Sequence, residues 1–390
     1  KALELLTKRY PDVGWDVCIE QFNPSSTVGD YSYRPHWRSD ASGAGQPLET
    51  WKEILEFRRK ALDLVLAWPS HDETTLCDLV ERLGGMAAED HSQLWKLVET
   101  WAGDPKTTDK AKATLGERIR RFALTRVGRR RVEDEATGNR ARDIYTKLAP
   151  LDPVTRHGWL FANQWVEESA DELEDENIDF TAREDRIHAL RAKALAEVWS
   201  TRGFDGVAAL LAESGAAPTI GQYAALCITD TAARVDFLLR CLGLHDDLEQ
   251  KADGCTLGFL WSVDSEARQG LLRAVADKID ADERVRFFKS SPFEKVTWLT
   301  VDEYGVEIST RYWKEVLPQW SRRHSDSDLN ELVDCLLDAE RPRAAFHAAH
   351  MDWARLETAR LKRLLTDVGT VAAEPQGTFR LDAHDIAEAL

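Results

Sequence analysis

Along most of this chain apolar residues recur every three to four positions, the spacing of one helix face, and not every second position as in a half-buried strand. Leu3, Leu5, Leu6 and Tyr10 lead up to Pro11, and Val13, Val17, Ile19 and Phe22 follow it. A proline is tolerated in the first turn of a helix, where its missing N–H would be unpaired anyway, so this stretch predicts a helix hairpin jointed at Pro11. The run Trp51, Ile54, Leu55, Phe57, Ala61, Leu62, Val65, Leu66 predicts a further helix that halts at Trp68-Pro69-Ser70. Asp72 or Thr74 can cap the next one, which should reach Leu83 and stop at Gly84-Gly85. His91–Trp101 and Thr107–Val127 read as another pair, and Pro153–Leu173 with Thr181–Trp199 as a longer one. Shorter helices are expected near 203–214, 218–228, 231–243, 255–263, 266–279, 282–289 and 292–302. Between Tyr304 and Val368 three or four more should follow, with breaks at Pro318, Ser325 and Pro342. Only Thr378–Leu381 hints at an extended segment.

Helix pairs that return roughly every 30–45 residues, with no strand counterpart, are the mark of stacked helical repeats. The pattern therefore predicts an all-α chain, an α-solenoid of degenerate HEAT- or TPR-like helix hairpins. Residues 1–150 would hold N-terminal hairpins with a long loop at 24–50, and residues 151–390 a continuing array. The 14 tryptophans, many near helix ends, suit the wedges between stacked hairpins, with an apolar body and one polar N–H.

Charge changes the picture by exclusion. A net charge of −17 argues against a general binder of nucleic acid or anionic membranes, because such binding needs a positive face. No apolar run is long enough to span a bilayer. The six cysteines are scattered singly without a C-x-x-C, which predicts reduced, buried thiols in a cytoplasmic protein. The chain opens on Lys1 inside a helical pattern, so it is expected to be part of a longer protein.

Three segments interrupt the helices. Residues 24–50 are rich in Pro, Gly and Ser, and within them Tyr31, Tyr33, Arg34, His36, Trp37 and Arg38 combine aromatic and arginine side chains, the types that dominate interface hot spots. They form the candidate protein-binding site, unless Trp37 plugs the chain's own groove. Residues 118–142 carry nine arginines against three acids, a local +6, and 167–185 carry ten acids against one arginine, a local −9. Arg118, Arg121, Arg126, Arg129, Arg130 and Arg131 are the candidate phosphate or RNA contacts; the alternative is that they pair with acids on neighbouring helices.

A phosphate loop needs a Gly-Lys step, and there is none; G-x-S-x-G and H-E-x-x-H are absent too. His347 and His350 with Asp352 lack a third convergent metal ligand. Asp236 with Glu249-Gln250-Lys251 has the letters of a metal nuclease but lies in helical spacing. An all-α ribonuclease of the HEPN type would use an arginine with a histidine a few residues on. Arg183/His188, Arg240/His245, Arg341/His347 and Arg343/His350 are such pairs, about as many as 35 arginines and ten histidines give by chance. The expectation is a non-enzyme without cofactor or metal, binding a protein partner. A helical ribonuclease and an RNA-binding repeat are the alternatives.

Three short stretches, Arg34–Arg38, Tyr312–Val316 and Arg341–Phe346, are similar to elements in the long helical regions of very large bacterial antiphage proteins. In that family an effector or STAND-type NTPase module precedes a helical sensor. The resemblance implies recognition of an invader-derived, phage protein, or a scaffolding role within the parent assembly.

Overall fold

A computed structural model of the chain describes residues 2–23, 51–125, 135–166, 179–319, 324–350, 352–370, and 384, 386 and 387. Among them every long element is a helix and no strand occurs, as the three-to-four spacing predicts. The chain divides into two compact units. One comprises residues 1–160 and 165–189, the other 161–164 and 190–390.

The first unit holds α1 (Ala2–Arg9), α2 (Pro11–Glu20), α3 (Trp51–Leu66), α4 (Glu73–Glu81), α5 (Ala88–Ala102), α6 (Asp109–Ile119), α7 (Glu135–Lys147) and the short α8 (Pro153–His157). Asp72 is the cap of α4: its carboxylate accepts the Thr75 amide at 2.9 Å while the Thr75 hydroxyl accepts the Asp72 amide at 2.9 Å. Leu62, Val65, Leu76, Leu79, Leu94, Trp95, Leu115 and Ile144 meet in its core. His91 ties three segments together, with Nε2 3.1 Å from the Leu83 carbonyl and Nδ1 2.9 Å from the Thr137 hydroxyl. A carbonyl can only accept, so Nε2 carries the proton and Nδ1 accepts from Thr137. α6 ends in a five-residue π-turn, Arg120–Leu124, where the spacing predicts that the helix continues to Val127. The predicted helix at Pro153–Leu173 stops at His157. Its apolar residues mimic a longer helix, but the chain turns through Gly158–Leu160 instead.

The second unit contains most of α9 (Phe180–Glu213), in which Gly203 adopts φ 58°, ψ −142° and separates two helical segments. There follow α10 (Ala217–Cys227), α11 (Thr231–Leu242), α12 (Glu249–Trp261), α13 (Ser265–Ala276), α14 (Ala281–Lys289), α15 (Lys295–Glu303), α16 (Val306–Glu315), α17 (Asp326–Asp338), α18 (Pro342–Ala348) and α19 (Thr358–Thr370). From α10 onward helices pack on the next, as in α11 with α12 and α15 with α16, and on the next but one, as in α10 with α12, α11 with α13, α13 with α15 and α14 with α16. The backbones of α10 and α12 touch. A Cβ on Gly221 would lie 1.9 Å from the Cys255 carbonyl oxygen, and one on Gly258 1.9 Å from that of Pro218.

One device recurs at the helix starts. Asp152, Asp179, Asp230, Asp264 and Asp280 each accept an amide from the first turn of the helix that follows. Four residues on, an arginine reaches back to carbonyls left open before that helix. Arg156 bonds Pro150 and Leu151, Arg183 bonds Val166, Arg234 bonds Ile228 and Ala225, Arg268 bonds Val263, and Arg284 bonds Ala276 and Ile279. The carboxylate satisfies donors in the helix's first turn and the guanidinium satisfies acceptors in the chain just before it. Asp280→Ala should cost about 1 kcal/mol, the usual loss for an N-cap, and Arg284→Ala about 1.5–3 kcal/mol for charged hydrogen bonds. Urea denaturation of each variant checks both.

Candidate functional site

The residues singled out for chemistry fall into three groups. Tyr31, Tyr33, Arg34, His36, Trp37 and Arg38, with Arg126, Arg129, Arg130 and Arg131, lie outside the described residues. So do most of the acidic run and Thr378–Leu381. Arg118 is engaged with Glu81 at 2.6 Å. Arg121 lies in the π-turn, where its carbonyl accepts the Thr125 hydroxyl at 2.7 Å. Between them Arg120 is buried, forks onto Glu117 at 2.8 and 2.7 Å, and lies 4.2 Å above the Trp159 ring. The side chains of Arg118 and Arg120 are thus engaged within the first unit, while that of Arg121 is exposed.

Three arginines of the arginine–histidine pairs, Arg183, Arg240 and Arg341, do the same structural work. Arg183 is one of the recurring caps. Arg240 pairs with Asp205 at 2.8 Å and stacks on Phe204 at 4.3 Å. Arg341, 2% exposed, donates to the carbonyls of Trp313 and Val316 at 3.0 and 2.6 Å. His245 and His347 are exposed, and His350 sets its ring edge against Trp353. Lys251 donates to the Ala212 carbonyl at 2.6 Å. Among the described residues no three His, Cys, Asp or Glu come together as metal ligands. The six cysteines are free thiols; burial pushes Cys77 up to about 12 and Cys335 up to about 11, which holds both as unreactive thiols.

The candidate site that geometry brings forward is a polar groove of about 650 Å³ between α17, α19 and the turn before α19, lined by Asp326, Asn330, Glu331, Asp334, Arg355, Glu357 and Arg360, with Ser327 at its edge. Ser325 starts α17 with a capping box to Asp328, so Asp326 stands in the first turn and Asn330 and Asp334 follow on the same face. Asn330, buried at the base, donates to the Asp326 carbonyl at 2.6 Å and accepts from the Glu357 amide at 3.0 Å and Arg360 at 2.9 Å. Arg360 pairs with Asp334 at 2.8 Å and Glu357 at 3.0 Å. Arg355 pairs with Asp326 at 2.8 Å and donates to the His324 carbonyl at 2.5 Å. Lys295 reaches Glu331 from α15. Both arginines that line the groove are therefore braced internally. Counting Lys295, four carboxylates meet three cations, each carboxylate paired with one of them, and Asp326 and Glu357 keep side chains 72% and 73% exposed at the rim.

No protein-family model, no curated protein and no solved structure matches this chain. Sequence reasoning missed the groove because Arg355 and Arg360 meet Asp326 and Asp334 across 29 and 26 positions of sequence. The signal that could have found the architecture was the Asp-x-x-x-Arg spacing, visible at all five helix starts. Among the described residues no helix is long and apolar enough to cross a membrane.

Proposed function

We propose that this chain is a non-catalytic helical-repeat module that recognises or holds another protein, as sensor or scaffold within a larger cytoplasmic bacterial antiphage protein. The observation that carries the reading is the repetition of one building device, Asp-x-x-x-Arg, at five helix starts between Asp152 and Arg284. Ion pairs between neighbouring helices support it: Arg286–Asp253, Arg273–Glu303, Arg311–Asp282, Arg360–Asp334 and Arg363–Asp338 each join residues some 25 to 33 positions apart. Units that contact only their neighbours build extended surfaces, and such surfaces bind proteins more readily than they enclose substrates. HEAT- or TPR-like hairpins of degenerate sequence are the repeat class this implies. The acidic groove by α17 is its candidate contact face, and it fits a lysine- or arginine-rich segment of the partner.

The test is capture from phage-infected and uninfected bacterial lysates, followed by titration of each purified captured protein against the chain. Saturable binding that falls at least about tenfold at low salt with Asp326→Lys and Glu357→Lys together supports both the reading and the groove, since charge reversal opposes a complementary partner. Binding that both substitutions leave unchanged moves the contact face elsewhere. Absence of any saturable partner removes protein recognition.

A further inference from the structure

From the geometry around His324 we propose an acid-triggered latch that holds the start of α17, independent of what the groove binds. The ring is buried, 6% exposed, with its centroid 5.3 Å from Trp298 and 6.2 Å from Phe293. Trp298 also packs on Trp313 at 5.7 Å, so the imidazole closes a cluster of large rings. Its Nε2 is buried and, among the described residues, has no hydrogen-bond partner. A neutral imidazole can leave that nitrogen as a bare lone pair at modest cost. An imidazolium would place an N–H there with no acceptor.

Two neighbours in the chain turn this into a switch. Ser325, the next residue, caps α17: its hydroxyl accepts the Asp328 amide at 3.1 Å and donates to the Asp328 carboxylate at 2.7 Å. The His324 carbonyl is the anchor of Arg355, which also holds Asp326. If the ring leaves the cluster, its own backbone moves, and the cap and the Arg355 clamp are both attached to that backbone. The predicted acid product is a helix α17 frayed at its N-terminus, with the groove wall at Arg355 released.

The charged groups around the ring are Asp328 on α17, and Arg355 and Asp352 by the following turn. Phe293, with α15 and α16, brings aromatic rings, Trp298 and Trp313 foremost. Arg322 and Arg323 lie outside the described residues. Burial is the largest influence and pushes the imidazole below its ordinary 6.5; the two carboxylates pull the other way and Arg355 adds to burial. A ring face offers an imidazolium some cation–π attraction, but stripping water from an unpaired charge costs more. The folded state resists a proton that the unfolded chain binds. Stability from this residue is therefore complete above the unfolded value and is lost as pH falls through the folded one.

The measurement is amide hydrogen exchange of the intact chain at pH 7.5 and at pH 5.0, corrected for the intrinsic rate, compared with His324→Phe and His324→Gln. The expected result is loss of at least about tenfold in protection across 325–330 in the natural chain at pH 5.0, with neither variant showing a pH-dependent change there. His71, which burial also lowers, lies in the other unit and leaves this segment as an internal control. Should His324→Phe fail to fold, His324→Gln carries the comparison. Equal protection at the two pH values, an equal acid loss in the variants, or an imidazole titration by NMR at or above 6.5 overturns the latch.

Discussion

Gly258→Ala will be among the most damaging single-methyl additions possible in this chain, with an expected loss of about 3 kcal/mol, the upper end of the overpacking range. In most helices the same change is favourable, because glycine in a helix interior costs about 0.5–1 kcal/mol relative to alanine. Here the new methyl would meet backbone, the Pro218 carbonyl oxygen at 1.9 Å, and a carbonyl cannot rotate away as a side chain can. Helices α10 and α12 would have to part. Gly221→Ala makes the reciprocal clash with the Cys255 carbonyl, again at 1.9 Å, and should cost a similar amount. Gly254, one turn before Gly258, is the control. Its added methyl would sit 3.5 Å from Ala217 and Pro218, ordinary contact, so Gly254→Ala should be neutral or stabilise by up to about 1 kcal/mol. Urea midpoints, with amide exchange in α10 and α12 to localise the effect, separate the three. Equal behaviour of Gly254→Ala and Gly258→Ala would show that backbone approach does not set the packing of this pair.

The same helix shows where sequence reading runs short. The three-to-four spacing is enough to recognise an all-helical chain; Asp72, expected as a cap, and Ser325 and Pro342, expected as breaks, each stand at a helix start. Yet α12 begins at Glu249, not near 255. Its first turns read Glu-Gln-Lys-Ala-Asp-Gly, with no apolar stripe, because the face turned toward α10 is made of small residues whose contribution is closeness. Hydrophobic periodicity cannot register an interaction between backbones. The helix expected at Pro153–Leu173 fails for the opposite reason. Trp159, Leu160, Phe161 and Trp165 supply apolar spacing, but the carbonyls of Asn163 and Gln164 are taken by Arg191 at 3.0 Å each. Side-chain capping has replaced the helical hydrogen bonds.

Charge was the less legible property. Summed over a window, residues 118–142 look like a patch waiting for phosphate; placed in the fold, Arg118 and Arg120 have carboxylates within hydrogen-bonding distance. The groove was hidden by the same averaging. Arg355 and Arg360 lie 29 and 26 positions from Asp326 and Asp334 on α17, so no local window of sequence brings the two walls together, although each arginine also meets an acid three positions away. Among the charged residues, the repeated interval between Asp and Arg, a spacing and not a sum, carries the structural information that a reader of the bare sequence could use.

Arg341 brings the two uses of arginine into direct conflict, and its substitution is expected to decide between them. As half of an arginine–histidine pair it would act with His347, and loss of either side chain would abolish one activity while leaving the fold intact. As placed, its guanidinium is buried and bridges the carbonyls of Trp313 and Val316, where α16 ends. Its backbone N–H closes α17 on the Leu336 carbonyl at 2.9 Å, with Glu340 at φ 61° in the left-handed region. Removing the side chain uncovers two carbonyls, each costing about 1–3 kcal/mol when left buried and unpaired, and opens a cavity beside Trp313. Arg341→Ala should therefore destabilise by about 3–5 kcal/mol, in line with breaking a buried charged network. His347 is exposed, and His347→Ala should stay within about 0.5 kcal/mol, the usual range for a surface substitution. Thermal and urea unfolding of the two variants gives the comparison. A large loss for Arg341→Ala with none for His347→Ala assigns the arginine to the fold, whereas two stable variants that both lose cleavage of RNA would restore the ribonuclease alternative and remove the case for a non-catalytic repeat.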